Sequence, residues 1–475
     1  MGKERKSESN SAFFSGDKRS PWPVVAISMV GTSISGVTFI SVPGYVGATQ
    51  MSYMQMVLGF FLGYIAIAFV LLPLYYSLDS FSIYGYLSQR FGSRSRTTGA
   101  AFFLLSKFLG CGVRMYLTAI VLQLIVFGPL GIPFLVNILL TMLIVWLYTF
   151  RGGVKTLVWV DMAQTLCMVG AVILSIIFVS RAMGLDFKGL WTTLADSPMS
   201  RIWYFDDPAD KRLFWKQFLA GAFTTVAMTG LDQDMMQKNL SCKNLRSAQK
   251  NVLSYGFSFV PINLLFLGLG VLLYRYGAQV GICDGAGQLA GGLKADELFP
   301  TLATGTNPAT GLRYLPVSVA VVFVIGLVSA AFSSAGSAVT ALTTAITVDL
   351  LGADKKQDDA QLTRTRHRIH ALVCVLMAGL IYAFRAIGNG SVISAVYVVA
   401  SYTYGPLLGL YLFGLFTRLK PRDGWIPWIC VLSPLLCLVL SANAQRWFGF
   451  EIGFELLIIN AALTFTGLLL ASLRR

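Results

Sequence analysis

Histidine is what this chain has least of, and acidic residues are few beside basic ones. Its 475 residues include two histidines, His367 and His370, and 22 acids against 37 bases. With both histidines beside one basic segment, neither a transition-metal centre nor histidine-based catalysis is expected. The seven cysteines are an odd number without CxxC spacing. Most of them (Cys111, Cys167, Cys374, Cys430 and Cys437) sit in apolar runs and read as small hydrophobes, not as a disulfide framework. GxSxG and HExxH are missing, and the glycine-rich stretch 285–292 has no P-loop lysine. No acids, histidines or nucleophiles cluster at one depth, so an enzyme is not expected. Residues 1–20 are polar and offer no apolar core for a cleavable signal peptide.

What the chain has in quantity is apolar surface: 55% of residues are hydrophobic and 12% charged. Runs near the roughly 20 residues needed to span hydrocarbon recur along its length. Twelve spans are expected, at about 24–46, 51–75, 99–126, 131–150, 157–180, 213–231, 249–276, 314–349, 369–387, 391–417, 425–443 and 453–473. The gaps are loop-sized, so residues 1–20 read as a cytoplasmic segment and 21–475 as one transmembrane domain. The formal charge of +15 is distributed over alternate loops. Its clusters are at 3–19, Arg90–Arg96, Arg151 and Lys155, Lys238–Arg246, Lys355–Arg368, Arg418–Arg422 and Arg474–Arg475. That is topology, not a nucleic-acid footprint, and it places both termini in the cytoplasm. An integral protein of a bacterial inner membrane is expected, with lipid and a small solute as partners and no obligatory protein partner.

Three local features point inside the bundle. Val30-Gly-Thr-Ser-Ile-Ser-Gly-Val-Thr38 puts two glycines and four hydroxyls in the first span, with Pro43 expected to bend or end it. Phe218–Gly230 of the sixth span is likewise short and interrupted, and charged residues from Asp232 follow it at once. Two weakened helices five apart suit a five-plus-five inverted repeat with its site between them. In the eighth span Ala330, Ser333, Ser334, Ser337, Thr340 and Thr344 form one helical stripe. Its oxygens suit a dehydrated cation, or are packing hydroxyls bonded one turn back. Asp161 in the fifth span reads as a cation ligand, a proton relay or the partner of a base. Arg114, deep in the third, pairs with a protein acid or clamps an anionic substrate, whereas Lys107 reads as snorkelling to the cytoplasmic surface.

Taken together these segments resemble the sodium:solute symporter family over nearly the whole chain. The marks are Phe13-Phe-Ser-Gly-Asp-Lys-Arg-Ser-Pro-Trp22, Gly31–Phe39, Phe150-Arg-Gly-Gly-Val-Lys-Thr-Leu-Val-Trp-Val-Asp161 with Gln164, Asp232–Asn244, and the Ser333-Ser334 stripe. The resemblance implies an all-α membrane protein of LeuT type. Its first repeat would cover about 21–180 and its second about 213–417, with broken first and sixth spans and additional helices at 425–473. It implies sodium-coupled import of a small polar organic solute (sugar, sialic acid, amino acid or carboxylate) by alternating access, with Na+ as coupling ion and no organic cofactor. Its sodium site would use carbonyls of Gly31, Ile34 and Ala330 and hydroxyls of Ser333 and Ser334. A second sodium would use Asp161, Ser333 and Ser337, although Gly336 stands where some relatives carry another serine. Substrate would meet Ser33, Ser35, Thr38, Tyr53, Gln55, Arg114, Thr225 and Tyr397. Family members usually carry one more helix before the Phe-Phe segment, where this chain begins. A proton-coupled carrier using Asp161, or a transporter-like sensor, are the alternatives.

Overall fold

In the computed structural model the described residues are Phe13, 18–78, 82–150, 153–284, 287–308, 310–387, 392–449 and 451–473. Most of the N-terminal segment lies outside them, as do Arg151, Arg474 and Arg475 of the charge pattern. Regular structure among them is helical, apart from three isolated bridges. The elements that matter here begin with α1 (Trp22–Ser33), α2 (Gly36–Thr49), α3 (Tyr53–Ala66, continuing to Ser77), α4 (Ser93–Leu122), α5 (Phe134–Thr149) and α6 (Gly153–Ala182). They continue with α7 (Phe214–Thr225), α8 (Gln233–Leu240), α9 (Leu245–Gln279), α10 (Val317–Ala345), α11 (Asp359–Ile387), α12 (Val392–Phe416), α13 (Ile426–Phe448) and α14 (Leu456–Leu473). Each expected span overlaps helix. Among the described residues nine helices are long and apolar enough to cross a membrane, or ten with the bent pair α1–α2.

Apolar side chains on the outside say what surrounds the bundle. Leu135, Leu139, Leu143 and Leu147 of α5 are exposed at four-residue spacing, and Trp428, Leu432, Leu435 and Val439 form a similar strip on α13. Water does not tolerate such continuous strips, whereas hydrocarbon does. The basic loops gather at one end of the helices. Arg96 pairs with Asp349 at 2.9 Å, Arg90 donates to the Thr417 carbonyl at 2.7 Å, and Ser20 N donates to the Ser241 carbonyl at 3.1 Å. At the opposite end Met51 N donates to the Arg201 carbonyl, and Lys211 pairs with Glu451.

The first span is broken, though not where proline suggests. Ile34 (φ −84°, ψ 96°) and Ser35 (φ −92°, ψ 179°) leave helical geometry, and α1 meets α2 at 59°. The amide of Ile34 still donates to the Val30 carbonyl at 2.8 Å. Carbonyls from Gly31 onward then have no continuing helix to bond. Pro43 lies inside α2, which runs on to Thr49. One lost bond does not end that helix; the break falls instead where two glycines and four hydroxyls weaken it.

The sixth span breaks as well, and its charged sequel is a correction. α7 continues through a π-type turn to Gly230, leaves helix at Leu231 and Asp232, and restarts as α8. The Asp232 carboxylate caps α8 by accepting from the amides of Asp234 at 2.9 Å and Met235 at 3.2 Å. Asp232, Asp234 and Lys238 are all buried. Lys238 therefore belongs to the bundle interior and not to the basic loop where its sequence neighbours Lys243 and Arg246 suggest it lies.

Glycine brings α3 and α7 together. A methyl group on Gly59 would overlap the Phe218 carbonyl, and one on Gly221 would overlap the Met56 carbonyl. On Gly63 it would lie 2.6 Å from the Ala222 carbonyl oxygen. Backbone cannot yield as a side chain does, so overpacking here costs about 1–3 kcal/mol. We expect Gly59→Ala to lower the thermal midpoint of the purified protein in detergent. A midpoint equal to wild type would show that these helices can separate freely.

Candidate substrate cavity and cation site

The two breaks face a common cavity of about 120 Å³. Ser33, Ser35 and Thr38 reach it from the α1–α2 break, Tyr53 from α3, Arg114 from α4, Thr225 from α7 and Tyr397 from α12. Seven of the eight expected substrate residues are thus brought together. Tyr53 and Tyr397 are joined through their hydroxyls at 2.7 Å, and Ser33 is hydrogen-bonded to Tyr255, which accepts from Tyr64 at 2.8 Å. Gln55 is the exception. Its amide donates to the Arg212 carbonyl at 2.8 Å and its oxygen accepts from the Tyr204 amide at 3.2 Å, so it pins a loop at the end of the bundle and is not part of the cavity lining.

Arg114 is open to two readings on sequence. Its guanidinium makes no hydrogen bond or ion pair with any described residue, although it lines the cavity. A structural partner for it is therefore missing among these residues. A half-buried guanidinium without a protein partner can offer its planar fork to whatever enters the cavity.

Lys107 does not snorkel. It is buried, with Nζ 3.1 Å from Asp232 Oδ2 and 2.7 Å from Asp234 Oδ2. Tyr404 donates to the same Asp232 oxygen at 2.6 Å. Position along α4 suggested an easy reach to the surface, but the chain supplies two carboxylates inside, which is the cheaper way to hold the charge. Sequence reasoning missed both acids. The available signal was a short polar helix, with Asp234 and Lys238 four apart, beginning straight after a glycine-broken span.

The α10 stripe is buried as expected, with Ala330, Ser333, Ser334, Ser337, Thr340 and Thr344 all facing inward. Only part of it follows the packing-hydroxyl reading. Thr344 donates to the Thr340 carbonyl at 3.0 Å. Ser333 and Ser337 instead donate to the two oxygens of Asp161, at 2.9 and 3.0 Å. The Ser334 hydroxyl has no hydrogen-bond partner among the described residues. α10 packs on α6, which carries Asp161, and on α1 and α2, which carry Gly31 and flank Ile34 at the break. Gly31 lets α1 approach α6, since a methyl group there would overlap the Thr165 hydroxyl and lie 3.2 Å from the Asp161 carbonyl.

One more group enters the cluster. Lys238 Nζ lies 2.5 Å from Asp161 Oδ2 and 2.6 Å from Ser337 Oγ, and it also donates to the Thr32 hydroxyl. Of the three roles open to Asp161 on sequence, partnership with a base is the one seen.

At 26% identity over 409 residues the chain is similar to the sodium-dependent multivitamin transporter of Oryctolagus cuniculus, covering 84% of this chain and 60% of that one. The human sodium/iodide cotransporter is 26% identical, over 85% of this chain and 61% of its own. The chain thus spans about 60% of the length of these two relatives. The sodium/sialic acid symporter NanT of Aliivibrio fischeri is 23% identical over 96% of this chain and 87% of its own. A Na+-coupled sialic acid symporter, solved substrate-bound and outward-open, has the same fold, with a TM-score of 0.78 at 18% identity over 99% of this chain and 93% of that one. These relatives are transporters, not enzymes. The sodium:solute symporter family model matches residues 13–424, a range that holds both broken helices, the cavity and the serine stripe, and the chain belongs to that family.

Proposed function

We propose that this protein is a sodium-coupled symporter importing a small organic anion, with the substrate carboxylate held by Arg114. One observation carries the choice of substrate class: an arginine lining the cavity makes no ion pair among the described residues, the acid in the same lining, Asp232, being held by Lys107 and Tyr404. Carboxylate and guanidinium match as two parallel hydrogen bonds, and Ser33, Ser35, Thr38, Tyr53, Thr225 and Tyr397 add neutral contacts for the rest of a polar solute. The sodium site consists of carbonyls of Gly31, Ile34 and Ala330 with hydroxyls of Ser333 and Ser334. Its support is the backbone freed at the first break and the unpartnered Ser334 hydroxyl on the helix packed against it.

In the cycle, sodium joins α1 to α10 and so fixes the break that forms one wall of the cavity. Substrate then binds a site already shaped for it, and rocking of the helices exposes both to the other side. The basic loops at one end support cytoplasmic termini, and a bacterial inner membrane is part of the same proposal.

The test is uptake into proteoliposomes of a panel of labelled sugars, amino acids and small carboxylates, with and without a sodium gradient. Arg114→Gln should reduce uptake of acids about hundredfold, since two hydrogen bonds between charged groups are worth about 3 kcal/mol. Equal uptake of acids by the folded variant would remove the clamp. Uptake that follows pH and ignores sodium would select the proton-coupled alternative instead.

A further inference from the structure

The position of Lys238 bears on how many ions move. Its ammonium has three donors and meets three oxygens, from the Asp161 carboxylate and the hydroxyls of Ser337 and Thr32. Both ends of the pair are sealed, with the Lys238 side chain 1% and the Asp161 side chain 0% exposed. These are ligands that a second sodium would require. Gly336 cannot contribute another oxygen, because even a methyl group there would overlap the Tyr148 hydroxyl. That hydroxyl donates to the Phe332 carbonyl, which keeps the ring in place.

We propose that Lys238 is a tethered cation filling this second site, so that the protein binds one Na+ and not two. The inference rests on the sodium site proposed above and specifies its stoichiometry. A sodium ion approaching Asp161 would set two positive charges against one buried carboxylate, with no further anion in the cluster to offset them. The ammonium also links α8 to α1, α6 and α10 permanently, whereas an exchangeable ion would do so only while bound. Asp161 then acts as a positioning residue. It receives the Ser333 proton on its other oxygen, which leaves the lone pairs of that hydroxyl for the sodium site.

Saturation binding of radiolabelled sodium to the purified protein in detergent tests this, with Ser334→Ala reporting on the first site. Wild type should saturate at one ion per protein and lose it on Ser334→Ala. Lys238→Met frees the Asp161 carboxylate and should raise the count to two. Adding Asp161→Asn to that variant should return it to one. A wild-type count of two overturns the tethered cation, and so does a folded Lys238→Met protein that still binds one. If Lys238→Met fails to fold, the wild-type count decides alone. Two ions on wild type, one of them lost with Ser334→Ala, would leave the proposed function standing and remove only this inference. No sodium bound to wild type would sink both.

Discussion

Replacing Ser333 and Ser334 together by alanine is expected to abolish sodium stimulation of uptake while the protein remains folded. Hydrogen-bonding groups that meet a charge are worth about 1.5–3 kcal/mol each. Losing two therefore weakens sodium binding by about 3 kcal/mol or more, at least roughly hundredfold. The exchange is mild for the fold. Each change deletes one oxygen, and Ser334 loses no protein hydrogen bond. Ser333 gives up its contact with Asp161, which keeps Ser337 and Lys238. The measurement is uptake of the labelled carboxylates against sodium concentration, beside a thermal melt of the same preparation. An unchanged sodium dependence would place the ion elsewhere.

The second large effect concerns Lys107. Exchanging it for methionine leaves Asp232 and Asp234 buried on the same helix end without their shared counter-charge. Removing one partner of a buried pair costs about 3–5 kcal/mol, and here two acids are stranded by one change. We expect Lys107→Met to give little folded protein. Neutralising the acids in the same chain, with Asp232→Asn and Asp234→Asn, should recover much of the yield, because the stranded charges are then gone. Stability equal to wild type in the single variant would mean that solvent reaches these carboxylates freely. Arg114→Gln is a useful contrast, since no described acid depends on that guanidinium and its loss should spare the fold.

Much of the architecture was legible in the amino-acid order, because a bilayer makes apolar length a strong constraint. The same holds for the α1–α2 break and the α10 stripe, where glycines and hydroxyls interrupt runs that would otherwise be leucine and valine. The buried ion pairs were not legible. Lys107 lies on α4 and its acids on α8; Asp161 lies on α6 and its lysine on α8. Hydropathy counts each charge as a reason to leave the membrane and has no means of cancelling one against another distant in sequence. For that reason it drew the sixth span as ending at Leu231 and sent Lys238 to a loop. Gln55 failed for a related reason: proximity in sequence to Tyr53 says nothing about the Arg212 carbonyl that holds its amide.

The glycine contact between α3 and α7 bears on how the bundle can move. Where two main chains touch with no side chain between them, neither helix can roll or slide without collision. We expect the second span and the first part of the sixth to move together, although about 150 residues separate them in sequence. A gate that parted these two helices would have to break their backbone contact, so we expect its hinge to lie at other helices.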